Sequence, residues 1–164
     1  MPFIRVKEFK GKYRYAYVVS NKWRKRLGKG KKGSRQKVSK YLGKVLTPEK
    51  QEKEFTPRSY KTKADIVRHL VTHELLQHGF NEKSSIITKD SINFLIKDLK
   101  FENDNIVLEM NEGFLCNHTV RSLLNFRSKK EDERERGIDL AKSFLEAGLK
   151  VPEELFVKFY EKVF

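Results

Sequence analysis

Residues 3–20 read FIRVKEFKGKYRYAYVVS, two runs of alternating side chains on either side of Lys10-Gly11-Lys12. Side chains two apart share one face of a strand. Tyr13, Tyr15, Tyr17 and Val19 therefore fall on one side, and Arg14, Ala16, Val18 and Ser20 on the other. The glycine at the break supplies the backbone freedom of a tight turn. The stretch predicts two antiparallel strands. A third, short strand is expected in residues 35–46, RQKVSKYLGKVL, with Val38, Tyr41, Leu42 and Val45 as its apolar contacts. Three short, aromatic-rich strands read as a small β-meander or a partial barrel. So small a module has few apolar residues to spare, and the tyrosine face is expected to be its core.

The next stretch, NKWRKRLGKGKKGSRQKVSKYLGK at residues 21–44, holds eleven Lys or Arg and no Asp or Glu. Such a run repels itself, which implies that anions are supplied from outside the chain. The net charge of +14 is confined to one part of the sequence. Residues 1–60 hold 19 Lys and Arg against 4 Asp and Glu, whereas residues 61–164 hold 17 against 18. This asymmetry points to nucleic acid or an anionic membrane. No apolar run reaches the roughly 18 residues of a membrane span. Nucleic acid is therefore the expected partner, with no membrane. Lys22, Arg24, Lys25, Arg26, Lys29, Lys31, Lys32, Arg35, Lys37, Lys40 and Lys44 are the candidate phosphate contacts, acting by release of counterions. Trp23 has two readings, a cap on the small core or a ring that stacks on a base.

Gly28, Gly30 and Gly33 spell G-x-G-x-x-G. A dinucleotide site needs an apolar strand before that motif and a helix after it, and neither is present. Ser34 follows Gly33 where a phosphate-binding loop requires Lys. A Gly/Lys arm that follows a phosphate backbone accounts for the same residues.

Residues 62–79 predict a helix. Thr62 and Asp65 form a capping signal, Ile66, Val67, Leu70, Val71 and Leu75 share one face, and Gly79 ends it. Residues 92–112, INFLIKDLKFENDNIVLEMNE, contain two apolar runs split by ENDN, expected to pair as a hairpin. A short helix is expected at residues 118–126, HTVRSLLNF. The tail reads as a helical hairpin. Its first helix is expected to be capped by Ser128 and Glu131, with a stripe of Ile138, Ala141, Phe144 and Leu145, and to end at Gly148. Pro152 opens the second, whose apolar face is Leu155, Phe156, Phe159, Tyr160 and Val163. The helices carry their own caps and stripes, so residues 61–164 are expected to fold alone.

Tests for chemistry return little. His69 and His73 lie four apart on one helix face, the spacing of two helical zinc ligands, but Glu74 follows the second His rather than the first. His78 points elsewhere, and Cys116 and His118 complete four ligands only if the fold brings them there. Asp98 and Glu109 lack the Lys that usually follows a nuclease Glu by two residues, since Asn111 stands there. Cys116, the lone cysteine, is read as an inert packing residue that fits a reducing compartment. Asn111, Glu112, Asn117 and Arg121 crowd a short apolar stretch, where they are expected to brace the hairpin against the helices.

FIRVKEFKGKYRYAYVV followed by GSRQKVSKYLGK resembles the N-terminal segment of some DDE transposases of insertion sequences. Those open with a short β-hairpin and a basic stretch of the type R-Q-x-V-x-x-Y-L-G, matched here by Arg35, Gln36, Val38, Tyr41, Leu42 and Gly43. The resemblance covers about the first 45 residues and implies a nucleic-acid-contacting β module, not catalysis. The whole chain looks like a stand-alone archaeal protein that shares this module.

The expectation is an α+β protein of three parts: a basic β module at 1–47, a linker at 48–61 and an α+β domain at 62–164. Its expected function is non-catalytic nucleic-acid binding in the cytoplasm, without a cofactor, with DNA ahead of RNA or the ribosome. A metal-dependent enzyme using His69 and His73 stands third. The C-terminal domain is left as a surface for shape or for a protein partner.

Overall fold

The computed structural model describes residues 2–24 and 33–164, with Arg24 described in its backbone alone. Lys25, Arg26, Lys29, Lys31 and Lys32 lie outside the described residues. The fold is α+β, with nine strands and four helices among the described residues.

Strands β1 (Pro2–Phe9) and β2 (Tyr13–Arg24) form the expected hairpin, closing as Phe9 faces Tyr13. Lys10 and Gly11 take positive φ values in its turn. Strand β3 (Gly33–Leu46) completes the meander, pairing antiparallel with β2 from Arg24 to Tyr15. It is not short. At 14 residues it outruns β1, which reaches only to Ser20 of β2. Leu42 and Ser39 are extra residues of β3 where the register shifts, bulges of the kind that bend a strand.

Past β3 the sheet continues. Lys44, Val45 and Leu46 pair in parallel with Ile106, Val107 and Leu108 of β8 (Ile106–Met110). Strand β8 in turn pairs antiparallel with β9 (Gly113–Leu115), giving the order β1-β2-β3-β8-β9. Gly43 makes this junction sterically open. Its φ is +141°, and a Cβ there would sit 2.1 Å from the Asn105 carbonyl oxygen.

A second antiparallel sheet holds β4 (Asn81–Lys83), β5 (Ile86–Lys89), β6 (Ile92–Leu95) and β7 (Lys100–Phe101). The hairpin expected across ENDN does not form. The first apolar run turns back on itself, so Phe94 faces Phe101, while the second runs in the other sheet beside β3 and β9. A turn through Asn111 and Glu112, both at positive φ, joins β8 to β9 in two residues. With β9 on one edge of β8 and β3 on the other, no edge is left for the first run.

Helix α1 (Lys63–Gln77) starts as expected. Thr62 Oγ1 accepts from the Asp65 amide at 3.2 Å, and Asp65 Oδ2 accepts from the Thr62 amide at 2.9 Å. All five residues of its apolar face are buried, in one core with Phe94, Phe101, Phe144 and Phe159. Helix α2 (Asn117–Leu124) follows β9. Helix α3 (Glu133–Glu146) is capped by Asp132, not by Ser128 and Glu131. The Ser128 hydroxyl instead donates to Asp139, at 3.2 Å, and so is occupied elsewhere. Gly148, at φ +68°, follows that helix, and α4 (Glu153–Val163) opens after Pro152. No helix among the described residues is long and apolar enough to cross a membrane.

Residues 47–62 hold no helix or strand, but they are strapped to α1. The Gln51 amide donates to the Gln77 carbonyl at 2.6 Å, and Gln77 Nε2 donates to the Lys53 carbonyl at 2.8 Å. Phe55 lies between His69 and His73, with ring centroids 4.8 and 5.0 Å away.

Candidate nucleic-acid interface

In an antiparallel pair, residues directly opposite one another share a face. Val6 lies opposite Ala16, and Ile4 opposite Val18. These four pack with Leu42 and Val45 onto Val107, Phe114 and Cys116, forming a second, smaller core. Arg5, Lys7 and Phe9, opposite Tyr17, Tyr15 and Tyr13, occupy the other face. The tyrosine face is therefore the outer face, contrary to the expectation that it forms the core. The reason is that the module does not close on itself: β8 and β9 bring their apolar side chains onto the Ala16 and Val18 side.

The outer face is a field of rings. Phe9 and Tyr15 lie 5.8 Å apart between centroids, Tyr15 and Tyr41 6.3 Å, and Tyr17 and Tyr41 5.4 Å. Lys7 Nζ stands 5.3 Å from the Tyr17 ring and Lys44 Nζ 5.6 Å from the Tyr13 ring, within cation–π range. Phe9, Tyr13 and Tyr41 remain 44–47% exposed. Partial burial, followed by the neighbouring Tyr15 and Tyr17, pushes the Tyr41 phenol above its ordinary range. Trp23, on the same side of β2 by alternation, is 72% exposed and caps no core.

Beyond Ser20, strands β2 and β3 continue without β1 as a two-stranded ribbon. From Ser34 to Tyr41 every residue is exposed, whichever face it occupies. On the second face Lys22 lies opposite Arg35 in the ribbon, and Ser20 opposite Lys37 and Val18 opposite Lys40 at its base, where β1 still pairs with β2. Like charges placed directly opposite destabilise a strand pair. Of the expected phosphate contacts with described side chains, Lys22, Arg35, Lys37 and Lys40 thus fall on one face, and Lys44 on the aromatic one. Lys40 also lines a small cleft with His118 and Arg121. Burial, then Lys40 and Arg121, pushes the His118 imidazole below its ordinary range.

The remaining candidates do not come together in one site. His69 Nδ1 shares a hydrogen bond with the Tyr60 hydroxyl, and His73 Nε2 one with Gln77 Nε2 at 2.6 Å. Burial foremost pushes both imidazoles down. Cys116 is buried, which pushes its thiol up, and it lies with His118 at the start of α2. Among the described residues no three His, Cys, Asp or Glu side chains converge where a metal ion would be held. Asp98 is an exposed turn residue, and Glu109 is bound by Arg14 and Thr47.

Two of the four polar residues around residues 111–121 brace the fold as expected. Asn111 Nδ2 donates to Glu74 Oε2 at 2.8 Å and to the Gly148 carbonyl at 3.0 Å. Asn117 accepts from the Phe101 amide at 2.6 Å and donates to its carbonyl at 3.0 Å. Arg121 and Glu112 are exposed instead.

Sequence reasoning weighed the tyrosine face as core or stacking platform and chose core, so Tyr13, Tyr15, Tyr17 and Tyr41 were not grouped with Arg5, Lys7 and Phe9 as one outward face. The signal was present in the alternation of rings, with lysines among them. Compared with protein-family models, characterised proteins and solved structures, the chain matches none.

Proposed function

We propose that this is a non-catalytic nucleic-acid-binding protein whose β2–β3 ribbon holds the phosphate backbone, with DNA as the polymer. The observation that carries the reading is the facing pair Lys22 and Arg35, continued by Lys37 and Lys40 on an exposed ribbon with no acidic residue from 21 to 44. Their mutual repulsion is relieved when phosphates lie between them and counterions are released. A two-stranded ribbon fits the major groove of B-form DNA, about 12 Å wide, whereas the deep, narrow groove of an RNA duplex excludes it. The likeness of residues 35–43 to transposase openings supports the same reading.

The test is fluorescence anisotropy with a labelled DNA duplex and an RNA duplex of the same sequence, across a range of salt. Neutralising about six phosphates gives a slope of log affinity against log salt near −5 for DNA. Arg35→Ala and Lys37→Ala each lower that slope by about 0.9 and weaken binding to all sequences alike. Equal or tighter binding of the RNA duplex would assign the protein to RNA. Salt-independent binding, or none, would remove the proposal.

A further inference from the structure

We infer that the outer face of the β1-β2-β3 sheet is a stacking platform for unpaired bases, so that the bound nucleic acid carries a single-stranded segment. The inference rests on the nucleic-acid reading and names its substrate class more closely. Four observations support it.

The rings form one contiguous field across three strands, with neighbouring centroids 5.4–6.3 Å apart. Every base has a π-face, so such a field takes bases of any sequence. On β2 the tyrosines recur every second residue, about 7 Å along the strand.

The face is cationic throughout. Lys7 and Lys44 stand over rings of the field, and Arg5 is paired in register with Tyr17. The single acidic residue of the three strands, Glu8, lies opposite Arg14 and so belongs to the other face. A protein partner's docking surface would have an apolar centre depleted of lysine. Here the lysines sit among the rings, which complements a chain that alternates flat bases with phosphates.

Phe9, Tyr13 and Tyr41 are nearly half exposed although Ala16, Val18, Leu42 and Val45 on the opposite face of the same strands are buried. Strand alternation leaves these rings free to meet a ligand without disturbing the core.

Finally, Trp23 extends the aromatic face along β2 onto the ribbon, at 72% exposure. With Arg5, Lys7 and Lys44 among its rings, this one face offers both functions of a single-strand-binding surface, cations for phosphates and rings for bases.

The experiment compares full-length protein and variants with three labelled probes: an oligothymidylate and an oligouridylate of about twelve nucleotides, and a DNA duplex. Tyr13→Leu and Tyr41→Leu keep apolar bulk but lose the stacking ring, and Tyr41→Phe keeps the ring. Circular dichroism checks that each is folded. The expected result is a roughly tenfold loss of single-strand affinity for each Leu variant, wild-type affinity for Tyr41→Phe, and little change on duplex. The thymidylate and uridylate arms show which sugar the face accepts. Unchanged single-strand affinity in folded Leu variants would overturn the inference, and retained duplex binding would leave the function standing. Failure of the wild type to bind any probe would overturn both. Sedimentation that shows a dimer dissociated by Tyr41→Leu would assign the face to a second copy, which also overturns it.

Discussion

Arg14 on β2 grips Glu109 on β8 across the intervening strand β3, its two guanidinium nitrogens 2.5 and 3.1 Å from the carboxylate oxygens. The Thr47 hydroxyl donates a further hydrogen bond to Glu109 at 3.0 Å. The pair joins residues 95 apart in sequence and fastens the basic meander to the rest of the fold.

That pair carries a pH signature. The Arg14 hydrogen bonds, first, hold the Glu109 carboxyl below the usual glutamate range against the opposing effect of partial burial. A depressed folded-state pKa stabilises the fold above the unfolded value, about 4.3, and that contribution is lost as pH falls through the folded value. Both side chains are about a third exposed, so the pair contributes about 1 kcal/mol at neutral pH. Glu109→Gln is expected to be less stable than wild type at pH 7 by that amount, with the gap narrowing as pH falls from about 4.3 through the folded value. Urea melts across pH measure it. A gap that does not narrow at all as pH falls below about 4.3 would mean the charge is not responsible.

Gly43→Ala is expected to cost about 3 kcal/mol or more, because the new Cβ meets the Asn105 carbonyl and φ of +141° is strained for any side chain. Gly137, inside α3, has open space where a methyl group would stand, with nothing within 4 Å. Gly137→Ala should therefore add about 0.5–1 kcal/mol. Thermal denaturation of the two variants separates a backbone clash from helix propensity. Equal effects would contradict the packing at the β3–β8 junction.

Glu74 is 1% exposed and accepts hydrogen bonds from Asn111 Nδ2 and, at 3.3 Å, from the Lys150 amide. Removing Asn111 leaves a buried carboxylate short of a partner. Asn111→Ala is expected to lose about 2–4 kcal/mol, and Glu74→Gln in the Asn111→Ala background to recover part of it. A double-mutant cycle reads the coupling, and additive losses would show that the two residues act separately.

Cys116 packs with Ala16, Val18, Leu42 and Val45 of the meander at 1% exposure, so its thiol should resist a thiol reagent in the intact protein. A chain of residues 61–164 lacks those partners and leaves the β8 edge unpaired. It is expected to react at Cys116 within the mixing time and to unfold less cooperatively. A protected thiol and a sharp transition in that fragment would show that it folds alone.

Local chemistry was legible in the sequence. The Thr62–Asp65 box, the buried stripe of α1, the Lys10–Gly11–Lys12 turn and the halt at Gly148 each depend on residues within a few positions of one another. The charge of residues 21–44 was equally plain, since composition alone carries it. What tertiary structure decided was which side of each strand faces inward and which strands meet. Alternation divides β2 into two faces but does not choose between them, and the larger rings of Tyr13, Tyr15 and Tyr17 favour burial by area alone. The choice was made by Val107 on β8, Phe114 on β9 and Cys116 at the start of α2, which arrive about 90 to 100 residues later and settle against Ala16 and Val18. Parallel pairing of β3 with β8 leaves no local pattern, because its hydrogen bonds are made by backbone groups that every residue carries. Small Ala16 and side-chain-free Gly43 permit that approach, and it turns the aromatic face outward.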